Sequence, residues 1–342
     1  ELERVSPERF AALHAAAGQW HTTSGDLMAA VEHFLQAGCR VEAADIVADN
    51  ATTLLNVGRA YTVTRYIERL GDLVDEHEGL AIVHGWVSFV TGRFAEAERA
   101  LQTARRLDVD GVDAGLIMSL SAMIHLAEGD VAAGLAAIEG EVAVTEPTHP
   151  MVLGGVRVMG GRFDEARPYL ATAREMSASR PDHFVAAVAP IFAAIADLEM
   201  GQEDSARALA AASIATADEH RIGEAAQLAL AHSVIARTTD DQEASLRAAL
   251  RGVQLARRSP ENVMLTYALA SAADVAFEQG HRDAERLLAE ARSIVDRCVD
   301  PGIAGRYLAR VEARHGHAER PVADGLIEEL TERELSVLRY LP

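Results

Sequence analysis

The side chains able to carry out chemistry in this 342-residue chain are its 13 His, its two Cys and its carboxylates. The zinc peptidase motif needs two His four residues apart on one helix, and no His pair has that spacing. His315 and His317 form the tightest pair, but no Cys or cluster of carboxylates lies near them. Cys39 and Cys298 are far apart, which argues against a zinc knuckle or a disulfide framework and suits a reducing cytoplasm. We therefore predict no metal site and a cytoplasmic location.

Motifs for nucleophilic catalysis and phosphate binding are also missing. All 32 basic residues are Arg, which excludes a Walker-type phosphate loop, a Schiff base and a Lys general base within this chain. No Gly-x-Ser-x-Gly elbow or Cys-His nucleophile arrangement occurs. The net charge of −20 argues against a nucleic-acid surface, because neutralising phosphates requires clustered cations. No apolar stretch reaches the ~18 residues of a membrane span. We predict a non-catalytic chain that binds no cofactor, nucleic acid or membrane.

The elements that must position any binding residue are helices arranged as repeats. Turns containing Gly recur at intervals of 32 to 40 residues, with Asp240-Asp241 taking the place of one of them. The segments between the turns are apolar at helical spacing, and a period of this length with two helices is typical of an α-solenoid. The turn glycines are Gly25, Gly58, Gly92, Gly129, Gly161, Gly201 and Gly280. We predict an all-α protein, an α-solenoid of about eight helix pairs.

The hydrophobic periodicity also predicts the bounds of the helices. The predicted pairs are 7–23 with 26–37, 40–55 with 60–70, 79–91 with 93–107, 113–128 with 130–143, 149–160 with 163–178, 182–200 with 202–219, 222–238 with 241–258, and 261–279 with 281–298. A last helix is predicted over 302–315.

Small residues recur at two places in each unit, where they allow the paired helices to approach closely. Seven residues before each turn stand Gly18, Ala51, Gly85, Ala122, Gly154, Ala194 and Ala273. Five residues after it stand Ala30, Val63, Ala97, Gly134, Ala166 and Ala206. The last unit departs from this register, because Glu285 takes the second place and Ala284 lies one residue earlier. A shortening by one residue is therefore predicted there.

This register resembles the tetratricopeptide repeat, most clearly in the run from Gly85 through Gly92-Arg-Phe94 to Ala104. The resemblance implies a right-handed superhelix in which the first helix of each pair lines a concave groove. Carried over residue by residue, it turns Trp86, Phe89, Met123, Leu126, Met159, Ile195 and Asp274 towards that groove.

Aromatic and Met side chains in a groove suit an apolar or sugar-like ligand, or a partner helix. The alternative is that they simply pack against neighbouring helices. Arg93, Arg157 and Arg162 are candidates for polar or anionic contacts, with a solvated surface as the alternative.

The last residues predict a capped amphipathic helix. Thr331 and Glu334 have the spacing of a capping box, and Leu335, Leu338 and Leu341 repeat at helical spacing. The string Leu-Thr-Glu-Arg-Glu-Leu-x-Val-Leu-Arg resembles the first helix of the LuxR-type (GerE) helix-turn-helix domain, an ordinary capped helix being the alternative. The resemblance implies a DNA-binding domain cut before its recognition helix, so this chain alone is expected not to bind operator DNA.

The start of the chain resembles the entry to the repeat domain of MalT-like regulators. The resemblance rests on Leu13-His-x-x-Ala-Gly-x-Trp20, on Gly25-Asp-Leu-x-x-Ala-Val-Glu-His33 and on Val41-Glu-Ala-Ala44. In that family an ATPase module precedes the array and a LuxR-type domain follows it. The resemblance thus implies a repeat domain over 1–315, a linker over 316–329 and the start of the DNA-binding domain over 330–342. Both ends are expected to be cuts within a longer protein.

The function that this resemblance implies is regulatory interaction within an ATP-dependent transcriptional activator. The expected partners are an inducer or a regulatory protein in the concave groove, together with the ATPase module and the DNA-binding domain of the full-length chain. ATP is expected only in the upstream module. The alternative is a stand-alone tetratricopeptide scaffold that docks a partner peptide or helix.

Overall fold

A computed structural model describes residues 2–56, 59–108, 113–140, 144, 146–179 and 182–315, and the structural statements below concern these residues. The turn predicted at Gly58, the linker predicted over 316–329 and the truncated helix-turn-helix start over 330–342 lie outside them. The described residues form helices and turns without a β-strand, apart from one isolated bridge between Asp130 and Asp300. The predicted all-α class is confirmed.

The helices follow one another in pairs, as predicted. They are α1 Leu2–Val5, α2 Pro7–Thr23, α3 Leu27–Ala37, α4 Arg40–Asn56, α5 Ala60–Leu70, α6 Glu78–Val90, α7 Phe94–Leu107, α8 Ala114–Glu128, α9 Val131–Ala137, α10 Thr148–Gly160, α11 Phe163–Ser179, α12 His183–Glu199, α13 Glu203–Glu219, α14 Leu228–Thr238, α15 Gln242–Ala256, α16 Asn262–Glu278, α17 Ala284–Val295 and α18 Gly302–His315. A short 3₁₀ helix, Gly71–Asp75, follows α5. Helices α2 to α17 make eight successive hairpins within the described residues, so the helical-repeat solenoid is confirmed. The right-handed sense of the superhelix stays a prediction.

The predicted small-residue positions hold the pairs together. Every residue predicted at the first place, from Gly18 to Ala273, is buried, and so is every one predicted at the second. In the last unit Ala284 is buried while Glu285 is exposed, so the one-residue shortening is confirmed. The described turn glycines all have a positive φ between 61° and 87°, a conformation that ends a helix and that L-residues with a Cβ rarely adopt.

Gly154→Val is expected to destabilise the array by roughly 1–3 kcal/mol, the usual cost of overpacking a core. A Cβ at Gly154 would lie 2.6 Å from Leu170 Cγ and 3.3 Å from the Ala166 backbone oxygen, so α11 must move. Urea unfolding followed by circular dichroism measures the loss. Ala171→Val, at an exposed position of α11, is the control and should cost under about 0.5 kcal/mol. Equal losses for the two variants would contradict the close packing of α10 on α11.

Three predicted helices are shorter than expected, and one of them, predicted over 281–298, spans only Ala284–Val295. The helix predicted over 130–143 ends at Ala137, shortly before Gly140, whose φ of +130° is incompatible with a helix. The helix predicted over 222–238 begins only at Leu228. Residues 221–227 instead form a series of turns that starts at Arg221, whose φ is +59°. Ile222, Ala225 and Ala226 of this segment are partly buried against the core, and their spacing is also compatible with a helix.

The first helices of the pairs make an inner row that curves back on itself. Each of the helices from α4 to α16 in this row contacts the next, and α16 also contacts α8. Pro260, just before α16, lies against the α6–α7 turn at Gly92. On another side, Val131 N–H donates to the Asp300 carbonyl (2.8 Å) and Asp300 N–H to the Gly129 carbonyl (2.9 Å). These contacts enclose the space between the inner helices.

The last helix, α18, lies inside this curve. It contacts α16 extensively and also reaches α10, which is four pairs earlier in the chain. Arg310 forms an ion pair with Glu199 of α12 (2.6 Å), and Arg306 donates to the Gly160 carbonyl (3.2 Å). In the described part of the chain no helix is both long and apolar enough to cross a membrane.

Candidate ligand chamber and the enclosed helix

The inner row surrounds a chamber of about 390 Å³. Its wall comes from the length of α10, from the first parts of α12, α14 and α16 and from the facing sides of α4, α6 and α8. The turns over 221–227 and 258–261 complete it. Its lining is mostly apolar and includes eight aromatic or Met side chains: Trp86, Phe89, Phe184, Phe192, Met123, Met151, Met159 and Met264. A chamber of this size and chemistry suits a small molecule with a substantial apolar part.

Five of the seven side chains predicted to face the groove line this chamber: Trp86, Phe89, Met123, Leu126 and Met159. The structure does not bring the other two to it. Ile195 is fully buried between helices, so it packs as core, and Asp274 is buried beneath α18. The repeat register predicts that these five side chains face one groove, and all five line this chamber. That they bind a ligand stays a prediction.

One buried carboxylate, Glu261, belongs to the chamber wall. Its residue is 8% exposed, and within the described chain its only hydrogen-bond donor is the Ser259 hydroxyl (3.0 Å). No described Arg or His forms an ion pair with it. Burial raises the pKa of the Glu261 carboxyl to about 7, since an apolar site penalises its charged form. The charge of this carboxylate is therefore uncompensated above neutral pH.

Two further polar atoms in the wall have no partner among the described residues. They are Trp86 Nε1 on α6 and Thr148 Oγ1 in the first turn of α10, and both are buried. Most buried polar atoms in folded proteins make hydrogen bonds, and each exception has a cost of about 1–3 kcal/mol. Like Ser88 Oγ and Ser213 Oγ elsewhere in the described chain, these two atoms are an energetic cost of the fold.

The rim of the chamber is charged and exposed. Glu224 pairs with Arg251 (2.5 Å) and with Arg258, and these side chains are about a third to two thirds exposed. Arg221 is also exposed and lies in the same wall. Because Glu224 balances Arg258 at the rim, the uncompensated charge of the interior is that of Glu261.

A second polar cluster holds α18 within the curve. Glu199 of α12 accepts from Arg237 of α14 (3.0 Å), Arg310 of α18 (2.6 Å) and the Tyr267 hydroxyl (3.2 Å). Its side chain is only 7% exposed. Burial opposes ionisation, yet the Arg237 and Arg310 guanidinium groups hold the pKa of Glu199 below its ordinary value. Arg237 also lies 4.0 Å from the centroid of the Tyr307 ring.

Asp274 of α16 is the other anchor of α18. It accepts from the Tyr307 hydroxyl (3.0 Å) and from Arg314 (2.9 Å), and it lies 2.8 Å from His315 Nε2. Tyr307, with its hydroxyl on this carboxylate, is 1% exposed. We call Glu199, Arg237 and Asp274, together with their partners on α18, the α18 network.

The chamber and α18 meet at Met159. The carbonyl of Met159 is so close to Gly302 that a Cβ there would overlap it, and Gly302 has a φ of +57°. Only glycine combines this conformation with this approach at low cost. The side chain of Met159 lines the chamber, so the first residue of α18 touches the chamber wall directly.

The three Arg candidates make structural contacts away from the chamber. Arg93 pairs with Glu96 (2.7 Å), Arg157 stacks 4.2 Å over the Tyr169 ring, and Arg162 lies 3.7 Å from Glu165. The predicted His pair is only half described: His315 joins the α18 network, and His317 lies outside the described residues. In the described chain no three His, Cys, Asp or Glu side chains group as metal ligands.

Sequence reasoning missed Glu261, the turns over 221–227 and most of the α18 network. Glu261 precedes a helix, where an exposed acid is the ordinary expectation. Glu199 could have been noticed in the sequence, because it lies with Asp197 in a mostly apolar inner helix, as Asp274 does. An acid in such a helix usually needs a buried partner.

No protein-family model matches the chain. Over 101 residues it is 32% identical to serine/threonine-protein kinase PknK from Mycobacterium tuberculosis, in strains CDC 1551 / Oshkosh and H37Rv, and from Mycobacterium bovis AF2122/97. The matched stretch is 29% of this chain and spans 9% of the length of those kinases.

Proposed function

We propose that this chain is the ligand-sensing helical-repeat segment of a MalT-like, LuxR-family transcriptional regulator. The observation that carries the proposal is the chamber of about 390 Å³, whose wall includes five side chains that the repeat register predicts to face the groove. A volume of this order suits a small-molecule inducer. The similarity to PknK covers too little of that kinase to extend its activity to this chain.

A small molecule is favoured over a regulatory protein or a docked peptide. An extended peptide needs a continuous open groove, as in tetratricopeptide scaffolds. Here α16 meets α8 across the inner row, and α18 occupies the space beside the chamber. A scaffold role would therefore require α18 to leave and the α18 network to break.

The contact between Met159 and Gly302 supports a relay from ligand to α18. A ligand that moves α10 at Met159 shifts the surface on which α18 begins. Such a ligand changes the position of α18 only as far as it binds one of the two arrangements more tightly. Because α18 leads into the segment predicted to be the linker, a change in the position of α18 would pass ligand binding on to that segment.

Binding in the chamber is tested with the fluorescent dye Nile red and the variant Met123→Trp. Met123 lines the chamber and is partly exposed, so a Trp there should fill space without disrupting the core. We expect the affinity for Nile red to fall at least ten-fold. The control is Met118→Trp on the same helix, which is also partly buried but lies outside the chamber, and which should change the affinity less than two-fold. Equal affinities for the two variants would refute a chamber site.

The regulatory half of the proposal is tested in the full-length regulator. Deleting residues 1–315 should abolish its transcriptional response to the effector. An unchanged response would exclude the array as the sensor, whatever the chamber binds.

A further inference from the structure

The chemistry of the chamber narrows the class of ligand, provided that the proposed small-molecule function holds. Its wall combines a buried carboxylate, Glu261, with aromatic rings and Met side chains. An apolar molecule alone would leave that buried carboxylate with the Ser259 hydroxyl as its one donor and without a counter-charge, which is a costly arrangement. An anion would add repulsion to the same cost.

We infer that the chamber binds an organic cation, an amine or amidine on an apolar body, whose N–H groups donate to the Glu261 carboxylate. The Ser259 hydroxyl donates to one carboxylate oxygen and holds the group in place, and no described cation competes for it. Hydrogen bonds between an ionised donor and a carboxylate are the strongest available in such a site.

The surroundings of Glu261 favour the same ligand. Trp86, Phe89, Phe184 and Phe192 line the chamber, and the faces of aromatic rings attract ammonium groups. The chain has a net charge of −20, which raises the local concentration of cations. Of the two Arg residues in the wall, Arg258 is paired with Glu224 and Arg221 is exposed, so neither occupies the Glu261 carboxylate.

Competition with bound Nile red at pH 8 tests the inference. The competitors are decylamine, decan-1-ol and decanoate, each kept below the concentration at which it forms micelles. They share one apolar chain and differ only in head group. We expect decylamine to displace the dye at a concentration at least ten-fold lower than the other two. Equal potency of the alcohol, or higher potency of the carboxylate, would overturn the inference.

The variant Glu261→Gln keeps the shape of the side chain and removes its charge. The advantage of decylamine over decan-1-ol should then shrink to less than three-fold. Glu290→Gln, a carboxylate outside the chamber that pairs with Arg257, is the control and should keep the full advantage. An advantage that survives in Glu261→Gln would show that another group selects the cation.

Measurements on the unaltered protein at pH 5.5 keep the test valid if Glu261→Gln fails to fold. The Glu261 carboxyl, whose pKa burial raises to about 7, is then protonated, whereas decylamine stays charged. The other charged groups of the chamber wall are Arg221, Glu224 and Arg258. The hydrogen bond from Arg251, with Arg258 beside it, holds the pKa of the Glu224 carboxyl below its ordinary value. The advantage of the amine should therefore fall several-fold, and a constant advantage would overturn the inference.

These outcomes separate the inference from the function on which it rests. If Met123→Trp leaves Nile red binding unchanged, the chamber is not the site and both fail. If Met123→Trp removes binding while decylamine shows no advantage, the chamber binds small molecules and only the cation preference is wrong.

Discussion

Arg237→Ala is expected to lower the free energy of unfolding by about 3–5 kcal/mol, the usual effect of removing one partner from a buried ion pair. The side chain of Arg237 is 17% exposed and that of its partner Glu199 is 7% exposed. The substitution leaves the Glu199 carboxylate with Arg310, which is half exposed, and takes a donor from the Tyr267 hydroxyl (2.6 Å). Most of the loss is the cost of a buried charge that has lost the more buried of its two Arg partners.

The loss should appear first in α18, because Arg310 and Tyr307 both lie on that helix and both contact this site. Hydrogen exchange of the α18 amides measures it locally, which matters because repeat proteins unfold in parts. The matched control is Arg292→Ala, which removes an exposed ion pair between α17 and Glu312 of α18. That pair should contribute less than about 1 kcal/mol. Equal exchange in both variants would show that the buried pair does not hold α18.

The helical architecture could be predicted because its causes are local in the sequence. The spacing of Gly92, Gly129 and Gly161 marks turns in which a residue with a positive φ ends the helix. Six of the predicted turn glycines adopt that conformation. The one-residue shift of the small residue to Ala284 could also be predicted, because close packing of the paired helices requires a small residue at that place. The helix faces on which Trp86 and Met123 lie could likewise be predicted from the repeat register alone.

The closure of the inner row could not be predicted in this way. It depends on the small rotation between successive pairs, which accumulates over several repeats before α16 meets α8. The inward position of α18 depends on pairs separated by more than 100 residues, such as Arg310 with Glu199. Helical periodicity also does not reveal that residues 221–227 are turns. The apolar residues of this segment pack against the core, and a helix could place apolar residues at the same spacing.

Residues at the chamber show why only part of the site could be predicted from the sequence. Met159 and Leu126 lie within regular helices, so the repeat register orients them. Glu261 lies in the turn before α16, where its burial follows from the approach of Pro260 to the α6–α7 turn. Its chemistry is thus a product of tertiary structure, and the same position in an open solenoid would be an ordinary exposed acid.

Glu261→Gln is expected to stabilise the protein at pH 8 by about 3 kcal/mol, an unusual direction for the loss of a charge. Burial raises the pKa of this carboxyl from 4.5 to about 7. Between these values the folded protein holds a proton that the unfolded chain releases, so stability falls as the pH rises. Above pH 7 the full cost is present, and 2.5 pKa units correspond to about 3 kcal/mol.

The pH dependence separates this explanation from a simple gain in packing. At pH 5 the carboxyl is protonated in the folded protein, so Glu261→Gln should differ from the unaltered protein by less than about 1 kcal/mol. Urea unfolding at the two pH values measures both differences, and Glu290→Gln should show neither. A stabilisation that is equal at pH 5 and pH 8 would mean that folding does not raise the pKa of the Glu261 carboxyl. A protein whose site receives a cation would keep a buried carboxylate in spite of this free-energy cost. The cost falls only on the charged form, and the bound cation removes it.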